Sequence, residues 1–326
     1  MNIGLELTFI PKDKKEFTTK KKVTNKIKEF NKRLRKKRKK SAIDTYVKYD
    51  IFDLKKITYC IEIECLVKIN HNLNVGIDDM IKDYSEYSLY SIVDPLFKIA
   101  KEMGLAGRII EKKKDVIFHH PTGEGHLHLG LDNLLDSCEG LLFFENKMVE
   151  EFLRNPFIYP LFQEPFSQLN CKTIDYDVMA REVDLLDKNN FSENIKNLFF
   201  DHHYLFYPRM FRDRTYPTFE FRFFTAQNNI GEVTADVNFL VKFAKYCSLN
   251  KTRDFFSFKS FKKEMIKLKE YQKKLKNLSF AKKEIKNFFK KIDCEWNEIY
   301  EKKFEINYKN RVKYGKYFPQ PKTCLY

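Results

Sequence analysis

Apolar and polar positions alternate along residues 1–10, and a period of two predicts a first β-strand there. In residues 14–40 the period changes: Val23, Ile27, Phe30 and Leu34 recur at helical spacing within a strongly basic stretch. One apolar face is therefore expected to pack while lysine and arginine cover the rest. Residues 57–69 (ITYCIEIECLVKI) are rich in β-branched side chains with polar residues at alternate positions, and predict a strand. Residues 90–103 read as a helix closed by Gly104. Residues 115–120 and 125–131 read as two strands separated by a Pro-Thr-Gly turn. The pattern over 134–169 is mainly helical, interrupted at Pro156, Pro160 and Pro165.

The clearest strand is 218–225 (TFEFRFFT). Glu220 and Arg222 alternate there with Phe219, Phe221 and Phe223, so one face belongs to a core and the other to a polar surface. An amphipathic helix is expected over 233–247, and further Lys-rich helical segments over 255–296. This order is not a regular βαβ alternation, and neither a GxGxxG nor a Walker-type loop is present, which excludes a dinucleotide fold and a P-loop ATPase. The expected fold class is α+β with a largely antiparallel sheet packed by helices. We expect one catalytic domain at 1–250, with the basic helix 14–40 inserted after the first strand, and a helical C-terminal appendage at 251–326.

Composition adds little to that picture. With 326 residues, 43% hydrophobic and 33% charged, the chain is globular in type. No apolar run approaches the roughly 18 to 20 residues that span a bilayer, and no signal-peptide pattern opens the chain, so the expectation is a cytoplasmic protein without a membrane partner. The seven cysteines are odd in number and lack a CxxC pair, which argues for scattered reduced thiols over a disulfide framework or thiolate zinc site.

Charge changes the picture more. The formal net charge is +16, but residues 20–40 hold thirteen Lys or Arg against one acid, Glu29, and residues 251–326 hold twenty-two against nine. The rest of the chain is therefore net acidic. An acidic body with two basic attachments fits a site for divalent metal and nucleotide better than a basic groove does.

Four short pieces carry the candidate chemistry: Gly4-Leu-Glu-Leu-Thr8, Cys60-Ile-Glu-Ile-Glu64, Gly125-His-Leu-His-Leu-Gly130 and Thr218-Phe-Glu-Phe-Arg222. Each alternates polar with apolar residues, so the polar side chains of one strand leave from one face. Taken singly, Glu62 and Glu64 fit a solvent-facing strand, His126 and His128 fit structural roles, and Glu220 with Arg222 fits an ordinary charge pattern. As an ordered set they place carboxylates and imidazoles together, an arrangement that requires cations for neutralisation. Mg²⁺ takes oxygen ligands, and Mn²⁺ also tolerates imidazole.

The ordered set resembles the amidoligase branch of the glutamine synthetase-like carboxylate-amine ligases, relatives of the glutamate-cysteine ligases. That branch runs through a G-x-E-x-E strand, a second Glu-bearing strand, a G-H-x-H-x-G strand and a T-x-E-x-R strand leading into a helix. The resemblance spans roughly residues 1–250 and implies a glutamine synthetase-like fold with a curved ATP- and metal-binding sheet face. It implies that Glu6, Glu62, Glu220 and one or both of His126 and His128 hold two or three Mg²⁺ or Mn²⁺ ions. Arg222 is implied to contact the ATP phosphates, with His128 and Arg209 on the same cofactor, and Arg214 to neutralise the transferred phosphoryl group. Where the family has a second acid on the first strand this chain has Thr8, and Glu64 is the candidate substitute.

The activity so implied is amide formation. ATP phosphorylates a small-molecule or peptide carboxylate, and an amine attacks the acyl phosphate to release phosphate. No general base is identifiable; His119, His120, His202 and His203 qualify by side-chain type alone. Two alternatives stand beside it. One is nucleic-acid binding, or a ligase acting on a nucleic-acid-linked substrate, through residues 20–40 and 251–326. The other is phosphorylation of a guanidino or other group without amide formation.

Overall fold

The structure is a computed structural model. It describes residues 2–13, 20–37, 45–51, 59–68, 89–107, 110–113, 116–119, 125–129, 144, 147–148, 150–151, 154–161, 206–208, 219–221, 224, 226–250, 274 and 276–313. The chain divides into two compact units, one of residues 1–129 and 223–237 and the other of residues 130–222 and 238–326.

In the first unit, β1 (Asn2–Pro11) is followed by α1 (Lys20–Lys37), β2 (Thr45–Ile51), β3 (Tyr59–Lys68), α2 (Leu89–Glu102), β4 (Leu105–Ala106), β5 (Ile110–Lys113), β6 (Val116–His119) and β7 (His126–Leu129). Strand β1 lies between β3 and β7 and is antiparallel to both. β2 extends the sheet beyond β3, β4 pairs the end of β1, and β5 and β6 form a separate antiparallel pair.

The alternation in β1 becomes a two-sided sheet. Leu5, Leu7 and Phe9 are buried, and the ring of Phe9 meets Phe30 of α1 at 6.1 Å and Phe97 of α2 at 5.5 Å. Phe30 and Leu34 form the packed side of α1, as their helical spacing predicts. The expected helix over 14–40 is observed over Lys20–Lys37, and its flanks lie outside the described residues. Helix α2 ends at a left-handed glycine: Gly104 has φ 71°, and its N–H bonds the Lys101 carbonyl at 3.1 Å. Strands β2 and β5 were not expected, although Val47, Tyr49 and Ile51 of β2 alternate with Lys48 and Asp50; each pairs antiparallel with the strand that follows it.

The expected strand over 218–225 is shorter in the structure. The described strand is β9 (Phe219–Phe221), which pairs antiparallel with β8 (Phe206–Pro208) in the second unit. Phe224 and Ala226 are no longer in a strand, because the chain is already turning into α3 (Ile230–Leu249). The cap of that helix explains why it starts three residues before the expected Val233. The Asn229 side chain accepts the Glu232 N–H at 3.0 Å while the Glu232 carboxylate accepts the Asn228 N–H at 3.0 Å, a capping-box arrangement. The turn is tight: a Cβ on Gly107 would lie 1.9 Å from the Gln227 carbonyl oxygen, so only glycine fits there.

The second unit is built around aromatic rings from the later part of α3, from α4 (Leu278–Lys291) and from α5 (Glu298–Lys313). Phe289 of α4 meets Phe239 at 5.5 Å, Trp296 at 4.9 Å and Tyr300 at 4.8 Å; Phe288 packs on Phe243 and on Phe157 of the 3-10 turn Pro156–Leu161. The helical segments expected to reach Trp296 break instead at Ile292. Asp293 adopts a left-handed φ of 55°, and the Cys294 N–H returns to the Phe289 carbonyl at 2.9 Å, so the chain reverses before α5. Lys242 holds the Asp293 carboxylate at 2.7 Å. Cys247 and Cys294 are buried free thiols, and burial pushes the Cys294 thiol up to about 12, which leaves it unreactive as a nucleophile.

A buried carboxylate ties this unit together. Glu151 is 1% exposed and accepts Lys291 of α4 at 2.7 Å, Lys147 at 3.0 Å, the Asn155 amide at 3.0 Å and the Tyr246 hydroxyl at 3.4 Å. Burial alone would raise the Glu151 carboxyl, but the hydrogen bonds from Lys291 and Lys147 outweigh it and hold it below the ordinary range. Its contribution to stability is therefore complete above the unfolded carboxyl's pKa and is lost as pH falls through the lower folded value. Glu151→Gln is expected to cost about 3 kcal/mol at pH 7, at the low end for a broken buried pair because Lys291 can turn toward solvent. In urea unfolding the gap between variant and wild type should narrow below about pH 4.5, where the unfolded carboxyl becomes protonated; a gap independent of pH would refute the assignment.

Candidate functional site

The predicted site residues of the first unit lie on the three central strands, and their register can be read residue by residue. On β1, Glu6 is opposite Glu64 of β3 and also opposite His126 of β7. Thr8 is opposite Glu62, and Gly4 is opposite His128. Directly opposed residues of antiparallel strands share a face. Glu6, Glu62, Glu64, His126, His128 and Thr8 therefore belong to one face of the sheet, and Leu5, Leu7 and Phe9 to the other.

The pairing of β2 with β3 extends these rows by two residues that are not among the sequence's candidate site residues. Tyr46 is opposite Glu64, and Lys48 is opposite Glu62. The rows are thus Tyr46-Glu64-Glu6-His126 and Lys48-Glu62-Thr8. The two differ in charge. By residue type the Lys48–Glu62 position sets a base opposite an acid, whereas the Glu6–Glu64 position sets two acids opposite each other. The second row contains one lysine and one acid. The first has two carboxylates, a phenol and an imidazole, and no lysine or arginine.

Both histidines are buried, His126 to 5% and His128 to 4% exposure, on a strand whose alternate residues Leu127 and Leu129 are fully buried. Gly4 is what makes room for His128. A Cβ at position 4 would lie 2.8 Å from the His128 Cβ and 3.2 Å from its Cγ, closer than such atoms approach. The glycine that opens the first motif and the second histidine of the third are therefore two halves of one contact. The entrance to β7 is set by a hydrogen bond from the Gly125 N–H to the Phe224 carbonyl, 3.3 Å.

Glu220 is on β9 and so belongs to the second unit, opposite Tyr207 of β8. The side chains of Glu6, Glu62, Glu64 and Glu220 lie outside the described residues, as do Arg209, Arg214 and Arg222 altogether. Of the candidate general bases, His119 is at the end of β6 opposite Ile110 of β5, away from the rows just described, and His120, His202 and His203 lie outside the described residues. Among the described residues no cluster of three or more His, Cys, Asp or Glu is placed to hold a metal ion, and no helix is long and apolar enough to cross a membrane.

Against this geometry, comparison with known proteins adds no relative: no family model, no curated protein and no solved structure matches the chain.

The Gly4–His128 contact is directly testable. Gly4→Ala is expected to destabilise the fold by about 1–3 kcal/mol, the usual cost of overpacking. In a double-mutant cycle, His128→Ala should relieve part of that cost. Purely additive losses in chemical denaturation would mean that the two residues do not meet.

Proposed function

We propose that the chain is an ATP-dependent carboxylate-amine ligase whose divalent-metal site lies on the polar face formed by β1, β3 and β7. The observation that carries this reading is the register row Glu64-Glu6-His126, which sets two acidic positions opposite each other beside a buried histidine, with no lysine or arginine in the row itself. Such a donor set suits a hard cation with oxygen ligands and an accessory imidazole, Mg²⁺ or Mn²⁺. Glu6, Glu64 and His126 would hold it, with Glu62 and His128 completing the face. A metal held there would supply positive charge against the carboxylates and the phosphates of ATP.

The division of labour then follows from charge. Free carboxylates are poor electrophiles, so the substrate carboxylate attacks the γ-phosphorus of ATP; an O–P bond forms, the bond to ADP breaks, and the acyl phosphate is now susceptible to the amine. Amine attack on the acyl carbon forms the C–N bond and expels phosphate, and one amine proton leaves with it or to solvent. The resemblance of the T-x-E-x-R strand implies that Arg222 and Arg214 spread the negative charge of the transferred phosphoryl group and that Glu220 is a metal ligand. Glu64, on the same face as Thr8, is the candidate substitute for the acid that Thr8 replaces.

Incubating the full chain with ATP, Mg²⁺ or Mn²⁺ and a panel of amino acids and polyamines should release ADP and phosphate only when the right carboxylate and amine are both present, with an amide detected by mass spectrometry. ADP release with a phosphorylated product and no amide would transfer the site to phosphoryl transfer alone. A readout independent of turnover is thermal melting. Mn²⁺ should raise the wild-type melting temperature. Glu6→Gln should melt slightly higher than wild type without metal, because a like-charge pair is gone, and should lose the Mn²⁺ response. A metal response retained in Glu6→Gln, or no metal or nucleotide binding by the wild type, would refute the site.

A further inference from the structure

Helix α1 carries a row of exposed basic residues on the side away from the sheet. Lys21, Asn25, Lys28, Lys32 and Lys36 recur at helical spacing, and all five are exposed. The opposite side of the helix is occupied: Phe30 and Leu34 are buried, and Phe30 meets Phe9 of the sheet. The charges of the row are also uncompensated. Arg33, off the row, pairs with Glu29 and with Glu102 of α2, whereas Lys21, Lys28, Lys32 and Lys36 have no ion-pair or hydrogen-bond partner among the described residues. Lys28, Asn31, Lys32 and Lys36 line an open depression of about 450 Å³. Like charges at i, i+4 destabilise the helix that bears them, so the row costs stability until an anion is present.

We propose that this face of α1 binds the phosphodiester backbone of nucleic acid without reading its sequence. Lys21 to Lys36 spans about 22 Å along the helix at 1.5 Å per residue, a length that covers roughly six phosphates of one duplex strand. The row consists of point charges with one amide, and no arginine or aromatic residue lies on it to read a base edge or stack on a base, so recognition stops at phosphate. Charge complementarity alone would also admit a membrane or an acidic protein. An interfacial helix, however, needs its apolar face for the acyl boundary, and that of α1 is packed inside the protein. Protein interface cores are depleted of lysine and built on aromatic anchors, which the row lacks. This surface does not depend on the ligase reading and would serve equally well on a protein of another activity.

The test is binding of the full chain to fluorescent 20-mer duplexes of two unrelated sequences between 50 and 200 mM salt. Both should bind alike, with affinity falling steeply as salt rises. The Lys28→Gln/Lys32→Gln/Lys36→Gln variant should melt at or slightly above the wild-type temperature, because the three positions are exposed and a like-charge row is relieved. Its plot of log affinity against log salt should be shallower by about 2 to 3. The corresponding triple arginine variant should keep wild-type binding. Lys283→Gln/Lys290→Gln/Lys302→Gln, which removes three exposed lysines of the second unit, should do the same. A natively folded triple glutamine variant with unchanged affinity and salt slope would overturn the proposal. So would equal loss in the second-unit variant, no duplex binding by the wild type, or binding confined to vesicles containing phosphatidylserine. Should the triple variant melt early, single Lys32→Gln provides the same test, with an expected slope change of about 0.9.

Discussion

The register of β1 between its two neighbours is the constraint on which the first unit depends. The side-chain period of a strand is two, so a slip of one residue would carry Leu5, Leu7 and Phe9 to the polar face and bring Glu6 among the rings of Phe30 and Phe97. Two contacts oppose such a slip. Phe9 is seated between α1 and α2 on one face, and on the other the missing side chain of Gly4 admits His128. The same register that buries the core therefore also assembles Glu64, Glu6 and His126 into one row.

Each unit gathers acidic residues where charge must be balanced, and the means differ. In the second unit Glu151 is neutralised from within the chain, by Lys147 and by Lys291 from 140 residues further on, so the carboxylate serves as a tie between its own segment and α4. On the sheet face the Glu62 row contains a lysine, Lys48, whereas the Glu6 row contains none. A buried acid with two lysines is a structural joint. The opposed acidic positions Glu6 and Glu64 have no lysine in their row, and it is there that the proposed cation would supply the balance.

The uneven charge of the chain acquires a physical meaning in the same way. The basic stretch after β1 is a helix whose apolar side closes the core and whose outer row of lysines lacks carboxylate partners among the described residues. In α4 and α5 the lysines are more often engaged: Lys282 pairs with Glu301 and Glu305, Lys286 approaches Glu301, and Lys291 reaches Glu151. Two segments of similar composition thus do different things, and the difference lies in which acids the fold brings near them.

Period and capping made much of the local structure legible. The alternation in β1 and β3, the face of Phe30 and Leu34 on α1, and the glycine closing α2 follow from residue spacing, because a strand repeats at two residues and a helix at 3.6 whatever surrounds them. The boundaries of α3 and the break at Asp293 were less legible, since they depend on a capping exchange among Asn228, Asn229 and Glu232 and on a left-handed aspartate. Strand β2 was missed although Val47, Tyr49 and Ile51 alternate with Lys48 and Asp50, whereas β5 has only four residues in which to show a period. By itself the sequence determined that Glu6, Glu62, Glu64, His126 and His128 alternate with apolar residues on strands. That Glu6 faces Glu64 and His126, that Lys48 faces Glu62 and that Gly4 yields space to His128 were decided only by tertiary structure, because strand pairing joins residues tens of positions apart and no local period records the partner.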